Sequence, residues 1–181
     1  MVKRLREKGE KYPSSESLLN AAMNEYSMER GRANDLDSKA SFFMTLGVAI
    51  ATIFIPIIPL GKLSHIYLGE DFCIKCVVTV FVISLVLATC FILRALLLLY
   101  NSFKIRNYKS FNAEILNDPK NYEFSKDTTD KSLCQHYQEI IDFNLKVNDE
   151  KAAFVEKGMR FGGFGFLALV IGTVGLLITI A

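Results

Sequence analysis

Charge is missing from three long stretches of this chain. No Asp, Glu, Lys or Arg occurs from Phe42 to Leu60 or from Phe161 to Ala181, and Val77 to Tyr100 contains only Arg94. A helix rises 1.5 Å per residue, so about 20 residues cross the hydrocarbon layer of a bilayer. All three stretches meet or approach that length, and they are apolar on every side. A chain of 181 residues has no soluble core able to hide three such helices. The missing charge therefore excludes an ordinary soluble domain and predicts an integral membrane protein. Catalytic groupings are missing as well. His65 and His136 are the only histidines, and no GxSxG, HExxH or phosphate-loop pattern or carboxylate cluster occurs. The reading is a protein that is not an enzyme, with no catalytic residue, metal ligand set or cofactor. Among the four cysteines there is one CxxC, and no second pair or nearby His cluster completes a zinc site. Cys73 and Cys76 form a lone CxxC, either unlinked or bridged if that side is oxidising; Cys90 and Cys134 read as packing residues.

Proline is also scarce where it would matter. None lies between Glu16 and Ile55, so a helix can run from the polar N-terminal part straight into the first apolar stretch. Residues 1–13 are a polar basic leader closed by Pro13, after which Ser14 or Ser15 can cap a helix start, with Glu16 in its first turn. Leu19, Ala22, Tyr26, Glu29, Ala33, Leu36, Ala40 and Phe43 then recur at steps of three and four, an amphipathic stripe. A second stripe, Leu133, Tyr137, Ile140, Asn144, Val147, Lys151, Phe154, Gly158 and Phe161, leads likewise into the last apolar stretch. Alternation of strand length is absent. The predicted fold class is all-α: an amphipathic helix over 14–41, transmembrane helices over 42–60, 76–100 and 161–181, an outer loop over 61–75, and a helical segment over 101–160. Within that segment 101–118 reads as a further helix ended by Pro119. Neither stripe can be buried alone, so the helical extensions are expected to pack together as a stalk.

Orientation follows from the basic residues beside the spans. Arg30, Arg32 and Lys39 precede the first; Lys104, Arg106 and Lys109 follow the second; Lys146, Lys151, Lys157 and Arg160 precede the third. The loop between the first two offers only Lys62 and Lys75. The N-terminus and residues 101–160 are thus expected in the cytoplasm and Ala181 outside. The 42–60 stretch is too long for a signal sequence, and Pro56 and Pro59 stand where small cleavage residues would be needed. A net charge of +2, with acids and bases mixed, gives no sign of nucleic-acid readout.

Several residues invite a functional reading. Asp37, Lys39 and Ala40 are echoed by Asp149, Lys151 and Ala152, either as interfacial lysines with helix-favouring alanines or as acid–base partners that cross-pair between parallel helices. Asn144 and Lys151 interrupt an apolar stripe. They either fix register or, with Arg30, Arg32, Arg106 and Lys109, line a pocket for an anion such as a nucleotide. Arg94 lies six residues from Tyr100, about 9 Å along a helix. It either snorkels to the interface or faces the bundle interior or a water path. Gly158, Gly162, Gly165, Ala168, Gly172 and Gly175 make a small-residue face down the last span. Such a face packs either on the first span of the same chain, through Gly47 and Ala51, or on neighbouring subunits to form a homo-oligomer.

The order of these features carries a resemblance. A helix with "NEY" (Asn24 to Tyr26) runs into "LDSKASF" and a span; a second span and a basic stretch follow; a helix with "NLKVNDEKAAF" enters the last span. This resembles the small bacterial transmembrane effectors of cyclic-nucleotide anti-phage systems, the Pycsar-type and SLATT-like families, over roughly Leu18 to Ala181. The resemblance implies an inner-membrane effector that, once activated, impairs the membrane of an infected cell. It also implies a nucleotide second messenger or a soluble defence protein as its cytoplasmic trigger. A non-conducting scaffold that tethers a soluble protein is the alternative. A transporter is disfavoured, because two parallel spans and one opposed span make no inverted repeat.

Overall fold

The computed structural model describes residues 12–57, 72–105, 107–112 and 124–180. It is all-helical, with three helices, α1 (Ser15–Ile57), α2 (Phe72–Lys104) and α3 (Lys126–Ile180). Each is long and apolar enough to cross a membrane. Most of the expected 61–75 loop and of the 1–13 leader lies outside the described residues. Two compact units form: residues 1–34 with 107–149, and residues 35–106 with 150–181.

The helices start as their sequences dictate. The Leu18 amide donates to the Ser14 carbonyl at 3.1 Å, closing the first turn of α1. In α3 the amides of Thr128 and Thr129 donate to the Ser125 carbonyl, and the Ser125 and Thr128 hydroxyls lie 2.9 Å apart. Ser125 thus sits at the capping position, and Asp127 in the first turn accepts the Tyr12 amide at 3.0 Å. Of the helix expected over 101–118, the described residues are helical only as far as Lys104. α2 stops at Lys104, where the Ser102 hydroxyl donates to the Leu99 carbonyl at 2.7 Å, and residues 107–112 carry no helix. A partner outside the segment explains this. The side-chain amide of Asn144 takes both the N–H and the C=O of Lys109, the groups a helix would use internally. Residues 113–119 lie outside the described residues.

In the unit of residues 35–106 and 150–181, α1 and α3 run parallel and α2 packs between them. Two apolar clusters hold it: Ala40, Leu99 and Val155 with Phe43, Met44, Phe103 and Met159, and Val78, Phe81 and Leu176 with Ile74. The fully buried positions on α2 are 78, 81, 88, 95, 98, 99 and 102; on α3 in this unit they are 151, 155, 158, 165, 169, 172 and 176. The steps of three, four and seven along α3 have the coiled-coil seam period. All nine members of the stripe expected on α3 are wholly or partly buried, and Asn148 and Val155, one position beyond Val147 and Phe154, are buried more deeply than those two.

The small-residue face of α3 packs on α2 of the same chain at Gly158, Gly162, Gly165 and Gly172. A Cβ on Gly158 would lie 2.8 Å from Leu99 Cγ. On Gly165 it would lie 2.8 Å from Ile92 Cγ1 and 3.1 Å from the Ala88 carbonyl oxygen, and on Gly172 3.0 Å from Ser84 Cβ. A Cβ on Gly162 would lie more loosely against Ala95, at 3.8 Å, Ala168 is partly buried, and a Cβ on Gly175 would meet nothing within 4 Å. The physical reason is that α2 is the antiparallel neighbour and brings its own small residues, Ser84, Ala88 and Ala95, to the contact.

The large apolar side chains point outward. Val80, Ile83, Val86, Leu87, Leu93 and Leu97 on α2, and Phe164, Leu167, Ile171, Val174 and Leu177 on α3, are all exposed. Water would not tolerate such a surface, and a bilayer requires it. This is a membrane protein. The glycine contacts set a sign test. Gly165→Ala should lower thermal stability in detergent by about 1–3 kcal/mol through overpacking. Gly175→Ala should leave it unchanged or raise it by up to about 1 kcal/mol through helix propensity. Equal shifts would contradict the close contact of α2 and α3.

Candidate functional site

Polar side chains are buried in both units, and they are the candidates for function. In the unit of residues 1–34 and 107–149, Asn148 is wholly buried on α3. Its amide donates to the Glu29 carboxylate at 2.7 Å and to the Glu29 carbonyl at 2.9 Å, while its side-chain oxygen accepts the Tyr108 hydroxyl at 2.8 Å. One turn earlier Asn144, 2% exposed, clamps Lys109 by two backbone hydrogen bonds of 2.9 and 3.0 Å. Two asparagines one turn apart thus seat the extended segment 107–112 on the helix. Arg32 closes the network, 2.7 Å from Asp149 and 3.7 Å from Glu29. At the far end of this unit Lys126 pairs with Glu16.

An aromatic group lies beside the network. The Phe111 ring stacks on Tyr137 at 5.1 Å and meets His136 edge-on at 5.7 Å; Tyr26 meets Tyr137 edge-on at 5.6 Å. Burial, and secondarily the neighbouring Tyr26, raise the pKa of the Tyr137 phenol above 10.0. The buried Nε2 of His136 has no hydrogen-bond partner among the described residues.

In the second unit Lys151 is 1% exposed, and its ammonium lies 2.7 Å from Asp37 Oδ1, whose side chain is 44% exposed. This is an ionic contact and not an aligned hydrogen bond, since Asp37 Oδ1 accepts none of good geometry. Half of the expected cross-pairing is therefore present. Lys151 takes Asp37, but Asp149 takes Arg32 and Lys39 is exposed.

The residues expected to line an anion pocket have partners of their own where they are described. Arg32 and Lys151 are engaged by carboxylates, and the Asn144 amide by the Lys109 backbone. Lys109 Nζ lies 4.7 Å over the Phe143 ring, and Arg30 lies 5.9 Å over Tyr26; both residues are exposed. Arg106 lies outside the described residues. Acids therefore answer two of these cations, Arg32 and Lys151, while Lys109 and Arg30 face aromatic rings. Glu29, Asn148 and Tyr108, which no sequence reading marked as functional, complete the networks together with Asp37 and Asp149. The available signal was the pair Asn144 and Asn148, two polar residues one turn apart. It was masked because the expected stripe ran through Val147.

Arg94 is exposed on α2, off the seam that carries Ala95. It does not face the interior of this chain's own bundle. Cys73, Cys76 and Cys90 are exposed, Cys134 is partly buried, and all four are unbridged; Cys90 is thus not the packing residue expected.

No family of known proteins, no curated protein and no solved structure matches this chain.

Two outcomes follow from these contacts. Asp37→Ala strips the carboxylate from a buried ammonium and should cost about 3–5 kcal/mol. Lys151→Met fills the same space with apolar atoms and leaves Asp37 half in solvent, so it should cost less than about 2 kcal/mol. Thermal unfolding of both variants in detergent decides, and a larger loss in Lys151→Met contradicts the asymmetry. The second concerns alkaline pH. A folded-state pKa raised above the unfolded value contributes stability that is complete below pH 10.0 and is lost as pH rises through the folded value. Absorbance titration of the tyrosines should therefore show one phenol ionising late, and Tyr137→Phe should remove it.

Proposed function

We propose that the protein is a homo-oligomeric effector of bacterial anti-phage defence in the inner membrane. Its helices outside the bilayer sense a ligand or soluble partner, and its spans then impair the membrane or conduct ions. The basic residues flanking the spans support a cytoplasmic N-terminus and 101–160 segment, with Ala181 outside. The resemblance to Pycsar-type and SLATT-like effectors supplies the biological setting.

Arg94 is the observation that carries this reading. It is exposed on α2 with exposed Leu93 and Leu97 beside it. An arginine in hydrocarbon costs about 2.5–3.5 kcal/mol at mid-depth on insertion scales. A neighbouring subunit, or a water path formed between subunits, removes that cost. Because the glycine face of α3 is occupied within the chain, the subunit contact belongs to the outward faces, where Arg94 lies.

The test is induced expression in cells with and without phage, read by a dye that reports membrane potential. The active protein should depolarise infected cells. Arg94→Leu should abolish depolarisation with insertion and oligomer size unchanged, and Arg94→Lys should retain part of it. Cells that arrest with potential intact would exclude membrane impairment and favour a tethering scaffold. Normal activity in Arg94→Leu would assign the guanidinium to snorkelling.

A further inference from the structure

In the unit of residues 35–106 and 150–181 the three helices leave a lateral crevice of about 440 Å³. Phe43 and Gly47 line it from α1, Ile92 and Leu96 from α2, and Gly163 and Phe166 from α3, and every lining side chain is apolar. Glycine hollows it out. A Cβ on Gly163 would meet nothing within 4 Å, and one on Gly47 would reach only Leu96 Cδ2, at 3.8 Å. The volume is that of a small-molecule site. Water gains little there, because a buried water needs two to four polar partners and this wall is almost wholly apolar. The crevice lies among the segments long and apolar enough to cross a membrane, so the medium at its mouth is lipid hydrocarbon. Lys39 stands one helical turn before Phe43, on the same face of α1, and is exposed. That places a cation about 6 Å along the axis from the start of the crevice, the separation of a phosphate from the top of its acyl chain.

We infer that the crevice binds one acyl chain of an anionic phospholipid, with the lipid phosphate at Lys39. The inference is independent of the proposed defence role, since it concerns the resting chain and needs no trigger. Lipid seated between α1, α2 and α3 fills space that the protein's own side chains leave open. The headgroup charge selects lipids of the leaflet on the Lys39 side.

The experiment uses the full chain reconstituted into phosphatidylglycerol vesicles, extracted in mild detergent and weighed by native mass spectrometry. The wild-type chain should retain one phospholipid. Gly163→Leu, which adds bulk to the crevice at a position where a Cβ meets nothing within 4 Å, should lose it, and Gly175→Leu, where a Cβ is equally clear but which lies outside the crevice lining, should keep it. Gly47→Leu fills the crevice from the opposite wall and gives the same readout should Gly163→Leu fail to fold. Lys39→Gln should keep a lipid but lower the preference for phosphatidylglycerol over phosphatidylcholine about fivefold. Equal retention by the wild type and both filled variants would overturn the inference. So would a change of oligomer size with lipid count unaltered, which would assign the crevice to a second copy of this chain.

Discussion

A glycine at every seventh position of α3, Gly158, Gly165 and Gly172, lets α2 come within side-chain-free distance of it. The rest of the membrane-spanning unit depends on that approach. In hydrocarbon no hydrophobic force draws helices together, so association rests on close backbone contact and dispersion. Once Leu99, Ile92 and Ser84 are set against the three glycines, the rotation of α2 is determined. Ala88 and Ala95 fall on the seam, and Leu93, Leu97 and Arg94 are turned outward. The exposed arginine is thus a consequence of helix packing. A residue next to Ala95 on the helix, about 100° away, cannot also face the interior. The same geometry leaves the crevice, because glycines that do not meet α2, such as Gly163, leave space that no side chain fills.

The other unit is held differently. Its seam carries Asn144 and Asn148 where apolar residues would pack, and their amides hold an extended segment that could otherwise have continued α2. Hydrogen bonds of this kind contribute about 0.5–1.5 kcal/mol each, but leaving a buried amide unpaired costs more. Such groups therefore specify one arrangement more than they stabilise it. Under the proposed sensing role, these contacts are the ones a ligand or partner would have to change. Lys151 acts by the same logic in the membrane-spanning unit. Its buried ammonium accepts only a register of α1 that presents Asp37.

Much of this was legible in the chain itself. Uncharged stretches of bilayer length determined the membrane class, because no small soluble fold can bury them. The stripe from Leu19 to Phe43 determined which face of α1 is covered, since its period is regular throughout and Glu29 is its one charged member. The small-residue face of the last span was equally plain. Its partner was not, because small residues specify close approach without specifying to what, and the candidates Gly47 and Ala51 on α1 were as small as Ser84 and Ala88 on α2.

What only tertiary structure decided has a common cause. Two series of steps of three and four run along α3, sharing Asn144, Lys151 and Gly158 and differing by one residue between them. A helix of 3.6 residues per turn satisfies both, so the deeper burial of Asn148 and Val155 than of Val147 and Phe154 had to come from the neighbouring elements. The end of α2 at Lys104 was decided likewise, by an amide thirty-five positions away that takes the Lys109 backbone. Basic residues read as free for an anion were claimed by Asp37 and Asp149, acids distant in sequence and adjacent in space. Composition and period are local properties and determined the elements. Which polar group meets which depends on long-range juxtaposition, and a linear pattern carries no record of it.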